Sequence, residues 1–167
     1  AQQRFRRTSF PVNSFIINPA VAGTEPVTVL GSTYRHQWAG FDGAPTTTIL
    51  SAHSSLPNSL GAGVIFYTDD TGGAVSQTGV EIAGSYKINL PNTDAVSFGL
   101  SLQGIQFGFD SSDLNVWDQD DPALTGGMET SFSVDASTGM MVYGADYSFG
   151  AAISNLFQSN VNISGVE

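Results

Sequence analysis

The stretch Gly79-Val80-Glu81-Ile82-Ala83-Gly84-Ser85-Tyr86-Lys87-Ile88-Asn89-Leu90 decides the fold class of this chain. Its even positions are apolar, aromatic or glycine, and its odd positions are small, polar or charged. This alternation predicts a β-strand, because successive side chains of a strand point to opposite faces of the sheet. The strand is longer than is usual in soluble sheets, and its length suits a tilted strand that crosses a bilayer.

The same alternation recurs along the chain and predicts about seven strands. The other runs begin at Leu60, Ala95, Phe132 and Tyr147, with weaker ones at Val27–Trp38 and Thr46–Leu56. Near Gly104 the apolar phase changes, which favours a glycine-marked β-bulge or passage of the strand out of the membrane.

The connections between these strands alternate in length. Tight turns are predicted at Pro57–Ser59, Pro91–Thr93 and Gly144–Asp146, and longer loops at Ala39–Pro45, Asp69–Val75 and Asp110–Glu129. Outer-membrane barrels have short periplasmic turns and longer extracellular loops. The pattern therefore predicts that the N-terminal segment, residues 1–23, is periplasmic and that residues 24–167 form the barrel strands.

The composition favours a membrane barrel over other folds. Hydrophobic residues make up 41% of the chain and charged residues 12%, about half the charged share of a soluble domain. Polar residues interrupt every apolar stretch, so a membrane-spanning helix is excluded. We expect an all-β, antiparallel, up-and-down transmembrane β-barrel. Single-chain bacterial barrels are normally even-stranded and closed, so these seven strands are expected to belong to a larger barrel that is incomplete here. A soluble β-sandwich also alternates and is the competing fold.

Several function classes are excluded or disfavoured. The formal charge of −10 opposes a nucleic-acid partner. Cysteine is absent, which removes disulfides and thiolate catalysis. His36 and His53 lack a second ligand at metal spacing, and no serine lies in a nucleophile elbow. We therefore expect a protein that is not an enzyme.

Charged residues assign the two faces of the predicted strands. An Arg or Lys on the lipid side would cost about 2–4 kcal/mol at the membrane midplane. The face opposite the apolar one can be polar where it lines a lumen. Lumen-facing positions are therefore predicted for Arg35, Glu81, Lys87 and Asp135.

Two neighbouring motifs resemble a known family. Phe15–Gly23, with the letters FIINPAVAG, and Tyr34–Pro45, with YRHQWAGFDGAP, closely resemble the opening of the PorP/SprF family. Asp120–Ala123 and Ala151–Phe157 resemble its later elements, although Ser154 stands where the family has proline. Val21 replaces a common aromatic residue, and Arg4, Arg6 and Arg7 replace a Gln/Asp-rich start. The resemblance spans this chain but only the N-terminal half of typical members.

The resemblance implies a barrel without chemistry of its own. Family members are outer-membrane proteins tied to type IX secretion and gliding motility, which assist export of large adhesins or anchor them at the surface. The implied partners are the lipid and lipopolysaccharide of the outer membrane, together with a secreted adhesin or other secretion subunits. A soluble secreted binding module and a diffusion porin are the alternative functions.

Recognition is expected in the rim loops, because long segments on a rigid scaffold offer the most surface. The acidic loop, which we define as Asp110–Asp121, could offer oxygen ligands to Ca²⁺. It lacks EF-hand order, so a solvated loop is favoured and no cofactor is expected. The predicted partner-binding residues are Trp38, Phe41, Asp42, Asp110, Asp113, Trp117, Asp118, Asp120 and Asp121.

Overall fold

The computed structural model describes residues 13–38, 40, 44–72, 75–91, 94–110 and 128–157, without the side chains of residues 109, 110, 128 and 129. In this part of the chain seven antiparallel strands form one sheet in sequence order. The sheet curls into a half-barrel, which confirms the predicted all-β meander. The strands are β1 (Val29–His36), β2 (Thr46–Leu56), β3 (Leu60–Asp70), β4 (Val75–Asn89), β5 (Ala95–Asp110), β6 (Met128–Tyr143) and β7 (Ser148–Ser154).

The ladder runs without interruption through the position at which a bulge was predicted. Val80 pairs with Gly104, and Gly79 pairs with Ile105. Of the two predicted explanations, the β-bulge is therefore wrong, and passage of the strand out of the membrane stays a prediction. The apolar phase changes because the inner face itself becomes apolar there, where Ile105 is buried.

The connections show one difference from the predicted lengths. Residues 57–59, 90–94 and 144–147 join strands on one rim, and residues 37–45, 71–74 and 111–127 join them on the other. Asp70 still pairs with Ser76, and Thr71 N–H donates to the Val75 carbonyl at 3.2 Å. The connection between β3 and β4 is therefore residues 71–74, which is shorter than the loop predicted at Asp69–Val75. We call the two sides the short-turn rim and the long-loop rim.

One face of the sheet exposes an apolar band, and we call it the outer face. On β4 this band extends from Val80 to Leu90. That length is about 33 Å along the strand, and a tilt of about 40° brings it close to the ~25 Å height of an outer-membrane barrel's apolar band. Beyond Val80 the outer face turns polar, at Thr78 and Ser76. The exposed apolar residues include Leu30, Leu50, Phe66, Ile82, Phe98, Leu100, Phe132, Phe149 and Ile153.

The two edges of the described sheet are β1 and β7, each paired on one side only. Lipid does not tolerate unpaired backbone N–H and C=O groups. A larger, closed barrel in which further strands pair with these two edges stays a prediction. Among the described residues, no helix is long and apolar enough to span a membrane.

Candidate functional site: the occupied inner face

The segment Asn13–Gly23 folds into two consecutive 3-10 turns, Ser14–Ile16 and Pro19–Val21. Asn18 precedes the second turn, and its Oδ1 accepts a hydrogen bond from the Ala20 N–H at 2.9 Å. Pro19 begins this turn, where its fixed φ and missing N–H cost nothing. Gly23 ends the segment at φ +70°, a conformation that glycine adopts without strain.

This segment covers the face of the sheet opposite the apolar band, which we call the inner face. Asn13 approaches Gly31 on β1, and Asn18 approaches Gly150 on β7. Because one short segment reaches both edge strands, it must lie inside the curve of the half-barrel. Its side chains are 0–7% exposed at the positions that contact the sheet, namely Phe15, Ile16, Ala20, Val21 and Ala22.

Glycines on the inner face make room for the segment. A Cβ atom added to Gly99 would lie closer than 3.0 Å to the Ala20 backbone, and one added to Gly61 would meet the Ala22 carbonyl. Gly63 makes the corresponding space for Phe15, and Gly139 makes it for Asn18. Glycine within a strand is unfavourable unless another group approaches closely. Here the approaching group is the chain's own N-terminal segment.

We call the part of the inner face around Gly61, Gly63, Gly99 and Gly139 the seat of the segment. Hydrogen bonds fix the position of the segment on this seat. Asn18 Nδ2 donates to the Met140 carbonyl on β6 at 3.0 Å. Asn13 Nδ2 donates to Ser51 Oγ on β2 at 2.7 Å, and Ser85 Oγ on β4 donates to the Ala22 carbonyl. The Gly23 N–H lies 3.4 Å from His53 Nδ1. These bonds tie the segment to β2, β4 and β6.

His53 contributes to the packing of the segment against the sheet. Its ring packs against Phe15 with 4.8 Å between centroids, and the residue is buried. His36 lies on the outer face near the long-loop rim and is exposed. The described residues hold no group of three or more His, Asp or Glu side chains arranged to bind a metal ion.

Toward the long-loop rim the inner face is closed by its own side chains. Tyr67 is 1% exposed and lies over Gly79. Its hydroxyl accepts hydrogen bonds from Gln77 Nε2 at 3.2 Å and Gln103 Nε2 at 2.9 Å. Because Tyr67 is buried on the inner face, it is not part of an aromatic girdle at the membrane interface.

All four residues predicted to face the lumen lie on the inner face. Glu81 and Asp135 are 4% and 6% exposed, and Gln103 lies between them as the cross-strand neighbour of both. Asp135 Oδ1 accepts from its neighbour's N–H, that of Ala136, at 2.8 Å. Arg35 and Lys87 are partly exposed. Whether these four line a lumen in the closed barrel stays a prediction.

Most of the predicted partner-binding residues lie outside the described residues. Trp38 is described: it lies two residues after the end of β1, is 74% exposed and has φ 55°. Asp110 ends β5, but its side chain is not described. The Ca²⁺ ligands considered in the acidic loop also fall in the region that the structure does not describe. The predicted residues outside the description are Phe41, Asp42, Asp113, Trp117, Asp118, Asp120 and Asp121.

A cavity of about 730 Å³ lies between the segment, β1 and the β6–β7 turn. Glu25, His53, Tyr143 and Asp146 are among its lining residues. The Tyr143 hydroxyl is buried, and the described part of the chain offers it no hydrogen-bond partner. The cavity therefore lies near both edge strands, β1 and β7.

The alternation of polar and apolar residues did not reveal the seat. The segment that occupies it is not a strand, so its sequence shows no such alternation. A signal was nevertheless present. Gly61, Gly63, Gly99 and Gly139 all fall at inner-face positions of predicted strands. Strand glycines mark close approach of a backbone, so this coincidence could have indicated an occupant.

Comparison with known proteins gave one match. A family model described as "Type IX secretion system membrane protein PorP/SprF" matches residues 1–166. Neither a curated protein nor a solved structure matches the chain.

Proposed function

The chain belongs to the PorP/SprF family of type IX secretion system membrane proteins, and we propose that it helps to export large adhesins or holds them at the cell surface. It is an outer-membrane protein associated with type IX secretion. The proposed role includes support of gliding motility. The proposed function needs no catalytic residue, because binding and anchoring are sufficient for it.

The occupied inner face is the observation that carries this proposal. A diffusion porin needs an open, water-filled lumen, whereas here Asn13–Gly23 covers the inner face toward the short-turn rim and Tyr67 closes it toward the other. This filling favours a barrel used as an anchor over one used as a pore. A single-channel recording that found a stable open conductance in the full-length protein would favour the porin.

The outer face argues against a soluble binding module. Leu100 is 66% exposed and Phe149 is 71% exposed, and their apolar neighbours continue across β4, β5 and β6. A continuous apolar surface of this kind is a liability in water and is favourable in lipid. Specific recognition of a soluble cargo must then occur at the rims.

The rim that offers the most surface for cargo is the long-loop rim. Trp38 projects there with little cover, which suits an aromatic anchor in a protein interface. The proposal assigns cargo contact to residues 38–45 and 110–129, where the predicted partner-binding residues lie. The cargo would be an adhesin or another subunit of the secretion system.

Replacement of residues 111–127 by a short Gly/Ser linker tests the proposal. The expected result is normal membrane insertion with a large loss of adhesin at the surface, measured by antibody labelling of intact cells. The matched control replaces Pro57–Ser59 on the short-turn rim, and it should leave surface adhesin unchanged. Undiminished adhesin with normal insertion would remove this loop from the site.

A further inference from the structure

The segment Asn13–Gly23 is bound to the sheet in the way that a ligand is bound. The N–H groups of Ile17, Val21 and Ala22 donate to carbonyl groups within the segment itself, at 3.1–3.2 Å. Its contacts with the strands are made by side chains and by close approach of its backbone to glycines. The internal hydrogen bonds of the segment are therefore separate from its contacts with the sheet.

The shape of that surface selects small residues. Ala20 and Ala22 lie over Gly99 and Gly61, and Gly23 also lies against Gly61. A Cβ on Gly99 or Gly61 would collide with the backbone of the segment, and backbone cannot move aside as a flexible side chain can. Because Ala20 and Ala22 are 0% and 1% exposed, the seat has no room for a larger side chain at these two positions.

The polar groups of the surface select an asparagine. Asn18 uses its Oδ1 to hold its own turn and its Nδ2 to reach the Met140 carbonyl. An alanine could do neither. Ser85 Oγ donates to the Ala22 carbonyl, four residues further along the segment, so recognition is spread over both ends of the second turn.

The link between the segment and β1 contributes little to these contacts. Glu25, Pro26 and Val27 are exposed. Thr28 Oγ1 is 3.0 Å from Ser54 Oγ in an exposed contact. The seat is therefore complete without the covalent connection.

We propose that the inner face is a peptide-binding site, specific for a short turn of the pattern Asn-Pro-Ala-x-Ala-Gly, and that the chain's own residues 13–23 occupy it as a tethered ligand. The contacts hold the ligand in place, and the tether supplies only a high local concentration. A separate peptide of the same pattern can therefore replace it.

The test cuts the tether in the folded full-length protein. Residues 25–27 are replaced by the recognition sequence of a specific protease, and a dye is attached to a cysteine substituted for Ala1, since the chain has no other cysteine. After cleavage in detergent, the release rate of the dye-labelled fragment is measured. Gly99→Ala should release it at least tenfold faster than the parent, and Gly84→Ala should match the parent, because a Cβ at Gly84 meets nothing within 4 Å.

A competition experiment supplies the second readout. Excess synthetic peptide with the sequence of residues 13–24 should displace the labelled fragment, and the same peptide with Asn18→Ala should need at least tenfold higher concentration. If Gly99→Ala fails to fold, Asn18→Ala in the cleavable protein takes its place, because this change leaves the strands intact. Equal release from Gly99→Ala and Gly84→Ala, equal competition by the two peptides, or no displacement by either would overturn the proposal.

Discussion

Gly84 on β4 and Gly99 on β5 are the same residue type in neighbouring strands, yet their surroundings differ completely. Gly84 lies on the outer face, where an added Cβ would meet nothing within 4 Å, whereas one at Gly99 would enter the Ala20 backbone. The outer face needs only apolar character, because lipid adapts to any shape. The inner face needs a particular shape, because it binds a folded segment. Substitutions on the two faces should therefore fail for different reasons.

The largest effect is expected for a charge within the apolar band. Leu100→Arg on the outer face should destabilise the inserted barrel by about 2–4 kcal/mol, since the arginine meets lipid near the midplane. The measurement is the fraction of folded, heat-modifiable protein after refolding into lipid. Thr78→Arg is the control, because Thr78 lies on the same face beyond the band and should cost at most about 1 kcal/mol there. Equal losses would contradict the position of the band.

A methyl group on the inner face should have the next largest effect. Gly99→Ala should cost about 1–3 kcal/mol, as overpacking of a close contact does. Gly84→Ala adds the same methyl group on the other face and should be neutral. Equilibrium unfolding in the same lipid gives the free energy of unfolding of each variant. Equal values for Gly99→Ala and Gly84→Ala would contradict the assignment of Gly99 to the seat.

Loss of the Asn18 side chain should have a smaller effect. Asn18→Ala removes the cap on the second 3-10 turn and the bond to the Met140 carbonyl, which together should cost about 1–2 kcal/mol. Asn89→Ala, at the exposed end of β4, serves as the control and should be near neutral. Limited proteolysis should cut the Asn18→Ala segment faster; an unchanged cleavage rate would show that this side chain does not hold the segment.

The smallest effect concerns pH at the short-turn rim. A hydrogen bond to Asp94, together with some burial and the negative charge of the same carboxylate, raises the pKa of Tyr147 above its ordinary value. A raised pKa means that the contact is complete below the unfolded-state pKa of about 10. The contact between Tyr147 and Asp94 is lost as pH rises through the folded-state pKa of Tyr147.

Asp94→Asn should lower the pKa of Tyr147 toward the ordinary value. Absorbance titration near the tyrosinate band, with Tyr147→Phe subtracted to isolate this residue from the other four tyrosines, measures the shift. A pKa that is indifferent to Asp94→Asn would argue against contact between the β4–β5 and β6–β7 turns.

The sequence predicted the strands well because alternation is a local property. The weaker run at Thr46–Leu56 matches β2 at both ends, and β4 and β6 differ mainly by extending further than predicted. The prediction of a bulge was wrong because a residue's burial by distant parts of the chain, and not its own strand, decides whether it is apolar. Ile105 changes phase because it faces a buried part of the inner surface, and the strand does not bulge.

The seat could not be predicted by the same reasoning, because its two halves are far apart in sequence. Asn18 donates a hydrogen bond to the carbonyl of Met140. The sequence around either residue gives no sign that it contacts the other. The strand glycines indicate where another group approaches the sheet closely, but they do not indicate which group it is. The family motif at Phe15–Gly23 indicated a special segment, and the structure supplied its place on the inner face.

A spin-label scan along β4 tests the central claim most directly. Single cysteines at Val80, Ile82 and Tyr86 on the outer face and at Ala83 and Ser85 on the inner face are labelled in protein reconstituted in lipid. The account predicts high accessibility to oxygen at the first three and low accessibility to both oxygen and a water-soluble nickel complex at the other two. Strong nickel accessibility at Ala83 and Ser85, or oxygen accessibility without a period of two, would contradict it.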